Sequence, residues 1–184
     1  MALAAVPVAP LVMRGTTRQF TLPSCVLTLN DLRRLFRLLE QKALEAAERQ
    51  VATLVLQPGQ TPAQLREVQV AVRSALTLVI RLQTASEWIN GTTIDLLNDE
   101  QLPDGLLRVE FDSAFLYRSR FNNLVPNNSF AVTLDLTHTG VLDMNASPQQ
   151  SVSAANVLGL DGTWANAVHE ALVAFFRPRK SKRG

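Results

Sequence analysis

Leu32, Leu35, Phe36, Leu39, Ala43, Ala46 and Ala47 recur at intervals of three and four, the spacing that aligns side chains on one face of a helix. Arg33, Arg34, Arg37, Glu40, Lys42, Glu45, Glu48 and Arg49 take the rest of that surface. Thr28, with Asp31 three residues on, supplies a capping-box start for this first helix. "QPGQ" at 57–60 breaks the pattern, and Thr61 followed by Pro62 restarts it, because proline at the first helical position loses no needed amide. Leu65, Val68 and Val72 are the expected buried side of this second helix, so the two helices predict an antiparallel hairpin.

The period then drops to two. Leu76, Leu78, Ile80 and Leu82 alternate with Thr77, Val79, Arg81 and Gln83; Leu107, Val109 and Phe111 with Arg108, Glu110 and Asp112; Phe130, Val132, Leu134 and Leu136 with Ala131, Thr133 and Asp135. Such alternation marks strands with one face in a core. Further short strands are expected around Phe20–Leu22 and at 87–90, 114–121 and 156–160, and a short capped helix within "TTIDLLNDEQLPDG". A last helix, capped by Asp161 or Thr163, gathers Trp164, Val168, Ala171, Leu172 and Phe175 on one arc and leaves His169 at its edge, beside Phe176.

Helices followed by strands without strand–helix–strand alternation predict an α+β fold. Its parts are an N-terminal helical hairpin, a mostly antiparallel sheet of about five or six strands and a C-terminal helix packed on that sheet. The expected boundaries are an extended apolar arm at 1–15, one α+β domain at 16–177 and a basic tail at 178–184, with a long polar loop at 143–156.

Composition adds that the chain can sustain a core: 184 residues, 47% hydrophobic and only 18% charged, are far from the profile of disorder. The net charge of +2 is uneven, since Arg177, Arg179, Lys180, Lys182 and Arg183 leave 13 bases against 16 acids in the rest of the chain. A body with that balance lacks the excess of positive charge that a nucleic-acid-binding face carries. Cys25 has no second cysteine to pair with, which favours a reducing, cytoplasmic setting. The apolar start lacks the basic n-region of a signal peptide, and no run approaches the roughly 18 apolar residues of a membrane span.

Candidate chemistry is sparse. A hydrolase or transferase site would have to be assembled from Cys25, His138, Asp135 or His169, drawn together from distant segments. Asp135 and His138 fall on opposite faces of a continuous strand, and His169 and Glu170, as helix neighbours, face different ways. Asp95, Asp99, Glu100 and Asp104 lie close together, but their spacing matches no calcium loop. No glycine-rich phosphate loop and no HExxH pattern occurs, so neither a metal nor a cofactor is implied. The expectation is therefore a non-enzymatic protein-interaction or regulatory module that binds a protein partner or the rest of a larger assembly. Arg33, Arg34 and Arg37 on the first helix and the 143–156 loop are the expected contact surfaces. Arg177, Arg179, Lys180, Lys182 and Arg183, expected to be solvated and extended beyond the helix end at Pro178, would add weak electrostatic contact with anionic membrane or nucleic acid.

Overall fold

The computed structural model describes residues 15–23, 27–98, 100, 102–137 and 153–179. The arm at 1–14, Cys25, Asp99, His138, the 143–152 part of the expected loop, Lys180, Lys182 and Arg183 lie outside them. The elements run β1 (Thr16–Thr21), α1 (Leu29–Ala52), α2 (Pro62–Ala75), β2 (Val79–Gln83), β3 (Trp88–Gly91), β4 (Arg108–Asp112), α3 (Phe115–Arg120), β5 (Asn128–Asp135), β6 (Ala154–Gly159) and α4 (Gly162–Phe176). The class is α+β: one six-stranded sheet in the order β1-β6-β5-β4-β2-β3, antiparallel at every pairing, with helices before and after it.

Side-chain alternation sorts the sheet into two faces. Ile80, Leu82, Val109, Phe111, Phe130, Val132, Leu134, Ala155 and Val157 point to one side, where they meet the α1 stripe and Trp164, Ala165, Val168, Leu172 and Phe176 of α4 in a single core. Every residue of the expected α1 stripe is buried. Each such leucine or phenylalanine removed from water contributes about 1.5–3 kcal/mol. A second, smaller core joins Ala47 and Val51 of α1 to Val72, Ala75 and Leu76 at the end of α2 and to Tyr117 beside Phe121. Thus α2 leans on the C-terminal half of α1 rather than on the sheet, and of its three expected core residues only Val72 is fully buried, with Leu65 and Val68 half-buried.

Ion pairs clamp α1 and α4 at both ends. Arg49, late in α1, pairs with Asp161 at the start of α4, while Asp31, early in α1, accepts from Arg179 Nε at 2.9 Å. The two helices therefore lie side by side and antiparallel. Asp161 also accepts from the Thr163 and Trp164 amides; partial burial pushes its carboxyl up, but these donors and Arg49 outweigh that and bring it below its usual value. Asp31 closes the capping box with Thr28, and the Thr28 amide, then its hydroxyl, then Arg179 bring the Asp31 carboxyl down to about 2.

A carboxyl with a lowered folded pKa binds its proton less readily folded than unfolded, so its stabilisation is complete above the ordinary value of 3.8 and fades as pH falls to about 2. Asp31→Asn should therefore be less stable than the parent at neutral pH, and urea titrations at falling pH should show the gap closing between pH 4 and 2. A gap that stays constant across that window would remove the carboxylate from this role. Thr28→Ala, which loses the cap itself, should cost about 1 kcal/mol at neutral pH.

Several local expectations are corrected. Residues 114–121, expected as a strand, hold the helix α3, because the Asp112 carboxylate accepts the Ala114 amide and pairs with Arg118, starting a helical turn. The expected capped helix after Thr93 is a 3₁₀ turn at Ile94–Leu97 without a side-chain cap. β1 spans Thr16–Thr21 rather than Phe20–Leu22, and β6 begins at Ala154, inside the expected loop. On α4 the fully buried arc takes in Ala165 and Phe176, while Ala171 and Phe175 are half-buried. The basic tail is not extended from its first residue: Arg177–Arg179 continue as a 3₁₀ turn, and Arg179 stacks 3.9 Å over Phe175 while bound to Asp31.

Candidate functional site

The residues proposed for a catalytic cluster do not come together where they are described. His169 is half-buried on α4, its ring edge-on to Phe20 at 4.5 Å. Asp135 ends β5 on the face turned away from α1 and α4, where it accepts from the Thr137 amide and hydroxyl and lies 3.9 Å from Arg108. The sheet stands between them. Cys25 and His138 lie outside the described residues. Among the described residues no three His, Cys, Asp or Glu side chains converge as a metal cage. Nor, among these residues, is any helix long and apolar enough to cross a membrane.

The arginines of α1 divide by task. Arg33 Nε donates to the Leu97 carbonyl at 2.8 Å and so ties α1 to the 3₁₀ turn. Arg34 and Arg37 are exposed. Arg37 borders an open groove of about 600 Å³ between α1, α2 and the segment entering β2. Leu44 of α1 and Val70 of α2 line it although they are 57% and 63% exposed, and Ala47, Leu76 and Leu78 form its apolar floor. Glu40, Gln41, Arg73, Ser74 and Thr77 complete the rim, with Arg73 held by a two-pronged bond to Glu48 at 2.8 Å.

The groove follows from how α2 is mounted. Pro62 and the Thr61 capping box start the helix, Val72, Ala75 and Leu76 pin its last turns to α1, and Tyr117 supports it from α3. Among the described residues α2 packs mainly on α1 and α3, so apolar groups that face along α1 remain open. Two further large apolar side chains, Val55 at 65% and Leu56 at 49%, are exposed in the loop between the two helices. Sequence reasoning missed Leu44 and Val70. Their signal was present, since each is an aliphatic residue on the otherwise polar arc of an amphipathic helix.

A second cluster on the far face of the sheet has a different character. The Arg81 guanidinium lies 4.3 Å from the Trp88 ring centroid and 4.9 Å from that of Phe115, and it donates to Glu110 at 2.9 Å. Its donors and rings satisfy one another, which makes it a brace between β2, β3, β4 and α3. Comparison of the chain with family models, with curated proteins and with solved structures finds no match.

Proposed function

We propose that this chain is a non-enzymatic protein-interaction module whose α1–α2 groove receives an amphipathic helix of a partner protein. The observation that carries the reading is the pair Leu44 and Val70, exposed on either side of an apolar floor. Contiguous exposed aliphatic groups ringed by polar ones are the usual mark of a docking surface. A groove between two helices suits residues spaced i, i+3/i+4 and i+7 on an incoming helix. Arg34 and Arg37, set against Glu40, leave one positive charge in excess along the α1 side, whereas Arg73 is already paired with Glu48. That balance favours a partner helix flanked by acidic residues. The basic run from Arg177 adds attraction for the same kind of partner, weak and screened by salt.

Two synthetic helical peptides with identical leucine spacing test this, one flanked by glutamates and one by lysines, with binding read by fluorescence anisotropy. The glutamate-flanked peptide should bind the parent protein more tightly than the lysine-flanked one. Leu44→Glu and Val70→Glu should each weaken it roughly tenfold or more. Both positions are exposed, so unfolding midpoints should not move. Failure of both peptides to bind the parent, or equal binding by the glutamate variants, would remove the groove from the reading.

A further inference from the structure

We infer that the β1 edge of the sheet is a self-association surface at which a second copy of this chain pairs antiparallel across a two-fold axis through Gln19. The inference is independent of the α1–α2 groove, which lies on other elements.

The hydrogen-bond phase of β1 is fixed by its neighbour. Leu22 donates to Ser153 O at 2.8 Å, and the register opposes Thr16 to Gly159 and Thr21 to Ala154 without a bulge. In an antiparallel ladder the bonded pairs alternate with unbonded ones. Thr16, Arg18, Phe20 and Leu22 therefore spend their backbone groups on β6, and Thr17, Gln19 and Thr21 aim theirs outward from the sheet. The same phase is seen across β6, where Leu160 donates to Asn127 O.

Among the described residues no element covers this edge, and its one charged side chain, Arg18, is turned to Asn166 of α4. The edge carries no proline, no lysine and no bulge along six residues, and three of the six are threonine. The opposite edge, β3, is only four residues long and is braced by Arg81 over Trp88.

Self-complementarity chooses the occupant and the register. A two-fold axis perpendicular to the sheet pairs residues on the same face, so the centre must fall on a residue. Centred on Gln19, the outward groups match: Gln19 with Gln19, and Thr17 with Thr21 twice, a full set of bonded pairs. Arg18 then sits across from Phe20 of the other copy, a cation opposite an aromatic ring rather than another cation. Centring on Arg18 would oppose two arginines, and centring on Phe20 would bring Pro23, which has no amide to donate, opposite Thr17 within β1, whereas centring on Gln19 leaves Pro23 opposite Gly15, outside the strand. Because α4 lies over β1 and β6, strand spacing sets the two copies of α4 about 10 Å apart, a packing distance for helices. Asn166, which accepts from Arg18, lies on that side of α4.

Sedimentation across a concentration series provides the test, with Gln19→Lys and Gln19→Glu as variants at an exposed position. The parent should shift from monomer to dimer as concentration rises. Each variant alone should stay monomeric, since like charges meet at the axis, and an equimolar mixture of the two should dimerise again. A parent that stays monomeric throughout, a lysine variant that dimerises like the parent, or a mixture that stays monomeric would each overturn the inference.

Discussion

Phe111→Ala should lower the unfolding free energy by about 3–5 kcal/mol, the range for removing a phenyl ring from a close-packed interior. Phe111 is fully buried on β4, with Ile80 opposite it on β2 and Val132 on β5, both also fully buried. Neighbouring strands hold those partners in register, so they have little freedom to close the cavity, which places the loss toward the upper part of that range. The adjacent residue is the control. Glu110 points to the far face and pairs with Arg81 and Arg108 near the surface, where an ion pair is worth at most about 1 kcal/mol. Urea denaturation of the two alanine variants should thus separate neighbours in sequence by several-fold in effect. Equal losses at positions 110 and 111 would mean that the alternation assigned to β4 is out of phase.

That alternation was readable because burial on one face of a sheet imposes a two-residue period on the chain, and burial on one face of a helix imposes 3.6. Where a segment is long enough to repeat, as in α1 or β5, period and capping residues agree with the structure down to Thr28 with Asp31 and Thr61 with Pro62. Residues 114–121 were too short to repeat. Phe115 and Tyr117 suggest a period of two, whereas Tyr117 and Phe121, in ring contact at 4.7 Å, follow the helical interval that the structure adopts. At the entry to that helix the Asp112 carboxylate, at the end of the preceding strand, accepts the Ala114 amide and pairs with Arg118.

The candidate sites were less legible, for a related reason. Leu44 and Val70 are each isolated in sequence, and only the docking of α2 along α1 makes them one surface. Conversely, the positive charge of Arg179 suggested solvent, but a local period says nothing about the start of α1, where the Asp31 oxygen not used by Thr28 accepts from Arg179. The separation of Asp135 from His169 was half visible: strand parity turned Asp135 away from the core, and only the side on which α4 docks remained to be learned. The edge phase of β1 needed the β6 partner, because nothing in a strand's own sequence says which of its amides point outward.

Gly159→Val sets two opposed effects against each other at the corner where β1, β6 and α4 meet. Valine suits an extended strand better than glycine, a preference worth up to about 1 kcal/mol. Against it, a Cβ at this position would lie 2.9 Å from Ala165 Cβ, 2.9 Å from the Asp161 carbonyl oxygen and 3.3 Å from Asn128 Oδ1. Asp161 cannot retreat easily, because its side chain caps α4 and pairs with Arg49. The clash should win, with a net loss of about 3 kcal/mol once the two γ-methyls are added, and Gly159→Ala should fall between valine and the parent. Hydrogen exchange should place the damage in the first turn of α4 and at the Thr16–Gly159–Asn128 row, while β2 and β3, at the other edge, keep their protection. A valine variant as stable as the parent would show that α4 does not approach β6 this closely, and the helix layer would then have to sit higher on the sheet than described.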